Sequence, residues 1–173
     1  MEQIHKLEVM AAAWYKNAPH LPNEIRLWLA RNVWWLTIVG IVLGSFGILT
    51  IVSITFFAGA LLAGVAGVVG AVVGGFVLIS VIISLLLAMV SIFIGGMAVS
   101  PLQKMHKKGW TLLFLITLIE VASLGVSLIF TFDVFGTIWG LLWAAVGAYF
   151  LFEIREYFTA ATIAKKTTET KSK

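Results

Sequence analysis

The sequence contains no cysteine, which excludes a disulfide, a thiolate nucleophile, a zinc knuckle and an iron–sulfur ligand set, and leaves no trace of a redox compartment. Charge is almost as scarce: Asp, Glu, Lys and Arg make up 12% of the 173 residues, against about 25% in soluble domains. The three histidines, His5, His20 and His106, all lie outside the long apolar stretches, so none is placed to act as a base or ligand within them. No set of Asp, Glu and His has metal-ligand spacing, and no serine has a visible base partner. The glycines between residues 64 and 75 are neither preceded by a strand nor followed by a lysine, as a phosphate-cradling loop requires. No enzyme activity, cofactor or metal site is expected.

What is present is apolar. Hydrophobic residues make up 61% of the chain and the mean hydropathy is +1.04, which places it among integral membrane proteins. The formal charge of +4 and the pI near 9.5 do not point to a nucleic-acid partner, because the cations are few and adjoin apolar spans. They report topology instead.

Residues 33–57 are 25 consecutive uncharged residues, about 37 Å of helix, enough to cross a hydrocarbon core of about 30 Å with some tilt. Residues 110–130 and 134–152 are each about one membrane thickness and are separated only by Thr131-Phe132-Asp133, which reads as a tight helical hairpin. Residues 58–100 are too long for one crossing, since their 43 residues would make about 64 Å of helix. Charge decides how they are divided. All twelve Lys and Arg fall in the N-terminal region (Lys6, Lys16, Arg26, Arg31), the loop around Lys104, Lys107 and Lys108, and the tail from Arg155 onward. Two crossings within 58–100 would put the central loop opposite Arg26 and Arg31, against the positive-inside bias. One net crossing puts every cation on one side. The expectation is an all-α membrane bundle with spans 33–57, 76–100, 110–130 and 134–152 in a cell membrane, both termini cytoplasmic. Trp34, Trp35 and Trp110 then sit where helices leave the interface, as indoles prefer.

That leaves residues 58–75 as a glycine-rich segment that does not cross, read as re-entrant against the other helices. Gly59, Ala63, Gly67, Ala71 and Gly75 repeat every fourth position and line one helical face, which would let another backbone approach closely. Residues 1–32 read as cytoplasmic interfacial helices. Ile4, Leu7, Met10, Ala11 and Trp14 follow helical spacing opposite Glu2, Lys6, Glu8 and Lys16, so the first segment is an amphipathic helix lying in the membrane interface or docking a partner. Pro19 and Pro22 end it, and a second helix begins near Asn23. Beyond the membrane domain of residues 33–153, residues 154–173 form a cytoplasmic tail whose polar end, KKTTETKSK, is expected to be disordered. Glu153, Arg155 and Glu156 read as a solvated interface at the end of span four.

Glu120 is the one charge inside a span. It lies ten residues after Trp110, about 15 Å along the helix and close to the bilayer midplane. A buried charge is costly there, which favours the protonated carboxyl, a group that both donates and accepts. Antiparallel alignment brings Ser45, Ser84 and the Trp143 indole N–H to about the same depth. Glu120 is then either interhelical glue, worth about 0.6 kcal/mol per bond, or a proton-linked or cation-binding site.

The stretches KMHKKGWTLLF before span three and YFLFEIREYF closing span four resemble small uncharacterised bacterial multi-pass membrane proteins. The resemblance covers roughly the C-terminal half and implies the four-span layout without an activity. Two functional expectations follow. One is a membrane scaffold or accessory protein acting through its glycine ladder and N-terminal helix. The other is a small oligomeric channel or transporter with Glu120 in its path. The partners expected are the lipid bilayer and either a second copy or another membrane protein.

Overall fold

The computed structural model describes residues 2–15, 19–65 and 67–171, with side chains described at all of these except 2–5, 14, 60, 62–65, 71 and 159–171. Their regular structure is entirely helical: α1 (Glu2–Tyr15), α2 (Asn23–Val65), α3 (Gly67–Gln103), α4 (Lys107–Thr131) and α5 (Val134–Lys171). Four of these helices are long and apolar enough to cross a membrane. Such segments stay helical because no water is present to satisfy a broken backbone ladder.

The starts and stops have local causes. After Pro19 and Pro22, the Pro22 carbonyl accepts from Ile25 N and Arg26 N at 3.0 and 3.1 Å, opening α2. Between α3 and α4, Met105 N donates to Leu102 O and His106 N to Pro101 O, both at 2.9 Å, with Met105 at φ 51°. Gly109 sits against this turn, where a Cβ would fall 2.8 Å from Leu102 N, so no larger residue fits without moving backbone. Between α4 and α5, Phe132 adopts φ 52° and Asp133 caps the next helix, its Oδ1 accepting from Gly136 N at 2.8 Å. The expected tight hairpin at residues 131–133 is therefore present.

Two expected boundaries differ. Residues 58–75 are not an element of their own: residues 58–65 are the last turns of α2, and residues 67–75 are the first turns of α3. The chain folds back at Gly67, whose φ of +52° suits a residue without a Cβ. The two helices run on because no proline or charge interrupts residues 32–100. At the C-terminus, α5 continues to Lys171, so the polar end expected to be disordered is helical through that residue. After Gly147 the sequence contains neither Gly nor Pro to stop it.

In the bundle, α3 packs between α2 and α4, α5 packs on α4 and touches α2, and α1 lies against α5. Helices α2 and α4 thus stand diagonally across the interior. The buried core gathers at one end, here the base: Ala30 of α2, Ala98 and Leu102 of α3, Trp110 and Phe114 of α4, and Leu151, Ile154 and Phe158 of α5. Trp110 is part of that core rather than an interface residue. It is 1% exposed, and its indole N–H donates to Leu151 O at 2.7 Å. Away from the base, side chains of the long helices are largely exposed, as expected of surfaces that meet lipid. At the opposite end α3, with 37 residues against 25 in α4, overhangs its neighbour by about 18 Å. There Phe56, Phe57, Val68 and Val69 are each at least 72% exposed.

Candidate functional site

Because α2 and α4 face each other across the bundle with little contact, space remains between them. One cavity of about 330 Å³ lies among α2, α3 and α4. A second, of about 460 Å³, lies among α2, α4 and α5. Thr37, Leu113, Ile116 and Glu120 line both, so the two adjoin across the bundle interior. The second reaches Leu151 and Ile154, where the basal core closes it.

Glu120 lies 13 residues into α4, about 20 Å from the start of that 25-residue helix, and so near its middle. Its carboxylate has no hydrogen-bond or ion-pair partner among the described residues, and the cavity walls carry no Lys, Arg or His. Hydroxyls share the space: Thr37 on α2, Ser84 and Ser91 on α3, and Ser123 on α4. Most helical hydroxyls bond their own helix. Ser45, Thr50, Ser53 and Thr117 each donate to the carbonyl four residues back at 2.8–3.2 Å, as Thr37 does to Val33 O. Ser84, Ser91 and Ser123 have no such bond and are free to meet a ligand. Gly40 and Gly44 widen the α2 wall, since a Cβ on either would meet nothing within 4 Å.

Of the residues expected near Glu120, Ser84 shares its cavity. Ser45 does not line it, and its hydroxyl bonds Ile41 O at 2.8 Å. Trp143 is 62% exposed and stands edge to face with Trp139 at 6.3 Å. Thr37, Ser91 and Ser123 were not anticipated, although their spacing is legible: Thr37, Gly40 and Gly44 on α2, Ser84 and Ser91 on α3, and Glu120 and Ser123 on α4 each recur at helical period. On the ladder, a Cβ on Gly59, Gly67 or Gly75 would meet nothing within 4 Å, so among the described residues no other backbone packs closely there. The side chains of Ala63 and Ala71 lie outside the described residues.

A second polar site at the base holds the N-terminal segment to α5. Glu8 is 2% exposed, and its Oε1 accepts from Arg155 at 2.7 and 2.9 Å with Lys107 Nζ at 3.8 Å. Glu153, 4% exposed, accepts from Leu21 N at 3.1 Å, pairs with His20 Nδ1 at 2.7 Å and meets Arg26 Nε at 3.1 Å. Arg26 continues to Glu156 at 3.1 Å. Glu153 and Arg155 are thus tertiary anchors rather than parts of a solvated interface. Their partners stand more than 125 residues away, a separation at which no local spacing rule operates. Tyr15 adds an O–H bond to Ala145 O at 3.2 Å and stacks on Phe152 at 4.9 Å. Burial raises its phenol above the ordinary value. Leu7 and Met10 of α1, 42% and 63% exposed, point away from the bundle.

The Glu120 carboxylate, exposed on the wall shared by the two cavities, can exchange a proton or face a cation; the basal pairs can only hold helices together, being already satisfied. Comparison of the chain with protein families, with curated proteins and with solved structures gives no match.

Proposed function

We propose that the protein is a small membrane transporter or channel whose path passes Glu120. One observation carries this reading: at mid-helix an exposed carboxylate, without a partner among the described residues, lines two adjoining clefts, one of which three helices line with hydroxyls. Structural glue would be bonded to a neighbouring helix, and it would lie in tight packing. Ionisable groups in the membrane interior are maintained at a cost that a titrating or ion-binding role explains. The base, which carries the cations of the N-terminal region, the central loop and the end of α5, faces the cytoplasm on the positive-inside bias. Helix α1 lies against α5 there, from Arg155 beside Glu8 to Phe152 beside Tyr15, with Leu7 and Met10 exposed. The core at Leu151 and Ile154 then bounds the second cavity on the cytoplasmic side.

The test is reconstitution into liposomes with a pH-sensitive dye inside and a potassium diffusion potential across the bilayer. Wild-type protein is expected to admit protons, and Glu120→Gln to stop the flux without lowering thermal stability, because the amide keeps a donor and an acceptor but cannot titrate. Flux equal in both proteins, or none in the wild type, overturns the reading.

The scaffold reading keeps one observation of its own. The open faces at Gly59, Gly67 and Gly75 sit on the overhanging hairpin, where a helix of another chain could approach closely. A monomer in native bilayer cross-linking would remove that support.

A further inference from the structure

We propose that the Glu120 cavity binds a lipophilic organic monocation, a quaternary or protonated amine or a phosphonium on an apolar body, in exchange for the carboxyl proton. The inference rests on the transport reading and names its substrate class.

Charge comes first. The cavity holds one acid and no opposing base, so the complementary ligand carries a single positive charge. A bare metal ion fits poorly. Hard divalent cations take about six to eight oxygens, whereas here the one carboxylate is surrounded chiefly by aliphatic walls such as Ile41, Ile92, Leu113 and Ile116. Among the described residues no group of three His, Cys, Asp or Glu is placed to hold a metal. An organic cation needs the opposite mixture: one counter-charge, apolar contact over the rest of its surface, and a few acceptors for any N–H.

Size agrees. A proton path needs only a file of polar atoms, yet the adjoining cavities measure about 330 and 460 Å³, within the range of about 300–1,000 Å³ typical of small-molecule sites. The space is kept open by the chain itself, because Gly40 and Gly44 stand where ordinary side chains would fill it. Ser84, Ser91 and Ser123 supply acceptors not committed to their own helices.

The exchange also balances. With no cation bound, a protonated Glu120 leaves the cavity neutral. When the monocation arrives, the carboxyl releases its proton and the carboxylate–cation pair is neutral again. Neither state buries an unpaired charge, which is the condition a low-dielectric site imposes.

The experiment uses full-length protein in lipid nanodiscs, with radiolabelled tetraphenylphosphonium as the probe in equilibrium dialysis and a pH dye in weak buffer. The wild type is expected to bind saturably, to release about one proton per cation, and to bind more weakly as pH falls. Glu120→Gln is expected to weaken binding by at least about tenfold, while Glu120→Asp retains binding with proton release. Gly44→Leu, which fills the cavity, is expected to weaken tetraphenylphosphonium more than tetramethylammonium. No saturable binding to the wild type, undiminished binding by Glu120→Gln, binding without proton release, or unchanged affinity in Gly44→Leu would each overturn the inference. Proton flux by a wild type that binds no phosphonium overturns the substrate class and leaves the transport reading. Phosphonium binding with proton release but no flux in liposomes overturns the transport reading and leaves the site.

Discussion

The Glu8 carboxylate lies 2.7 Å from the Arg155 guanidinium, joining the first helix to the last across 147 residues of chain. Glu8 is nearly fully buried whereas the Arg155 side chain is 31% exposed, so removing the acid leaves a cation that water can reach. Glu8→Ala should therefore release α1 at a cost of about 1.5–3 kcal/mol, the range for hydrogen bonds to charged groups. Hydrogen exchange at residues 6–15 is expected to rise while exchange in the α3–α4 hairpin stays slow. Uniform change across the protein would count against a local latch.

Glycine-to-alanine changes are expected to have opposite signs at two positions. Gly44→Ala meets open space and removes backbone entropy, so it should be neutral or stabilise by up to about 1 kcal/mol. Gly109→Ala drives a Cβ to 2.8 Å from Leu102 N, which is backbone and cannot rotate aside. It should lower the midpoint of thermal unfolding in detergent despite its better helix propensity. The same direction of shift in both variants would show that the turn is looser than its contacts indicate.

Alkaline pH should loosen α1. Burial raises the Tyr15 phenol above its ordinary value of 10.0, so the folded state holds the proton more tightly than the unfolded state does. Stability from this group is fully present below pH about 10 and is lost as pH rises through the folded value. Proteolysis or exchange at residues 6–15 should accelerate above that pH in the wild type. In Tyr15→Phe the dependence should be absent, at the expense of the bond to Ala145 O.

Topology can be tested without background, because the chain has no cysteine of its own. Lys104→Cys lies in the turn at the base, and Phe135→Cys, at a position 82% exposed, lies at the opposite end of α4 and α5. An impermeant maleimide should label one from each side of sealed vesicles. Labelling of both from the same side would discard the four-crossing arrangement.

The four apolar spans and the hairpin at residues 131–133 were legible in the chain. Run length against a hydrocarbon core of about 30 Å is a property of sequence alone, and so are the stops at Pro19, Pro22 and Thr131-Phe132-Asp133. Glu120 was equally visible, as the single charge in an apolar helix. What sequence could not decide is how each helix is rotated about its axis. Ser45 and Ser84 were expected at one depth, yet only Ser84 turns toward Glu120, because packing of Ala30, Leu102, Trp110 and Leu151 at the base sets which stripe of each helix faces inward. The ends of α2 and α3 likewise could not be read from an expected re-entrant segment, since a glycine-rich run is compatible with helix or turn until its neighbours choose. Glu153 and Arg155 resemble any charged membrane boundary in sequence. They became anchors only when folding brought Arg26 and Glu8 beside them, because a partner more than 125 residues away is fixed by tertiary packing and leaves no local pattern.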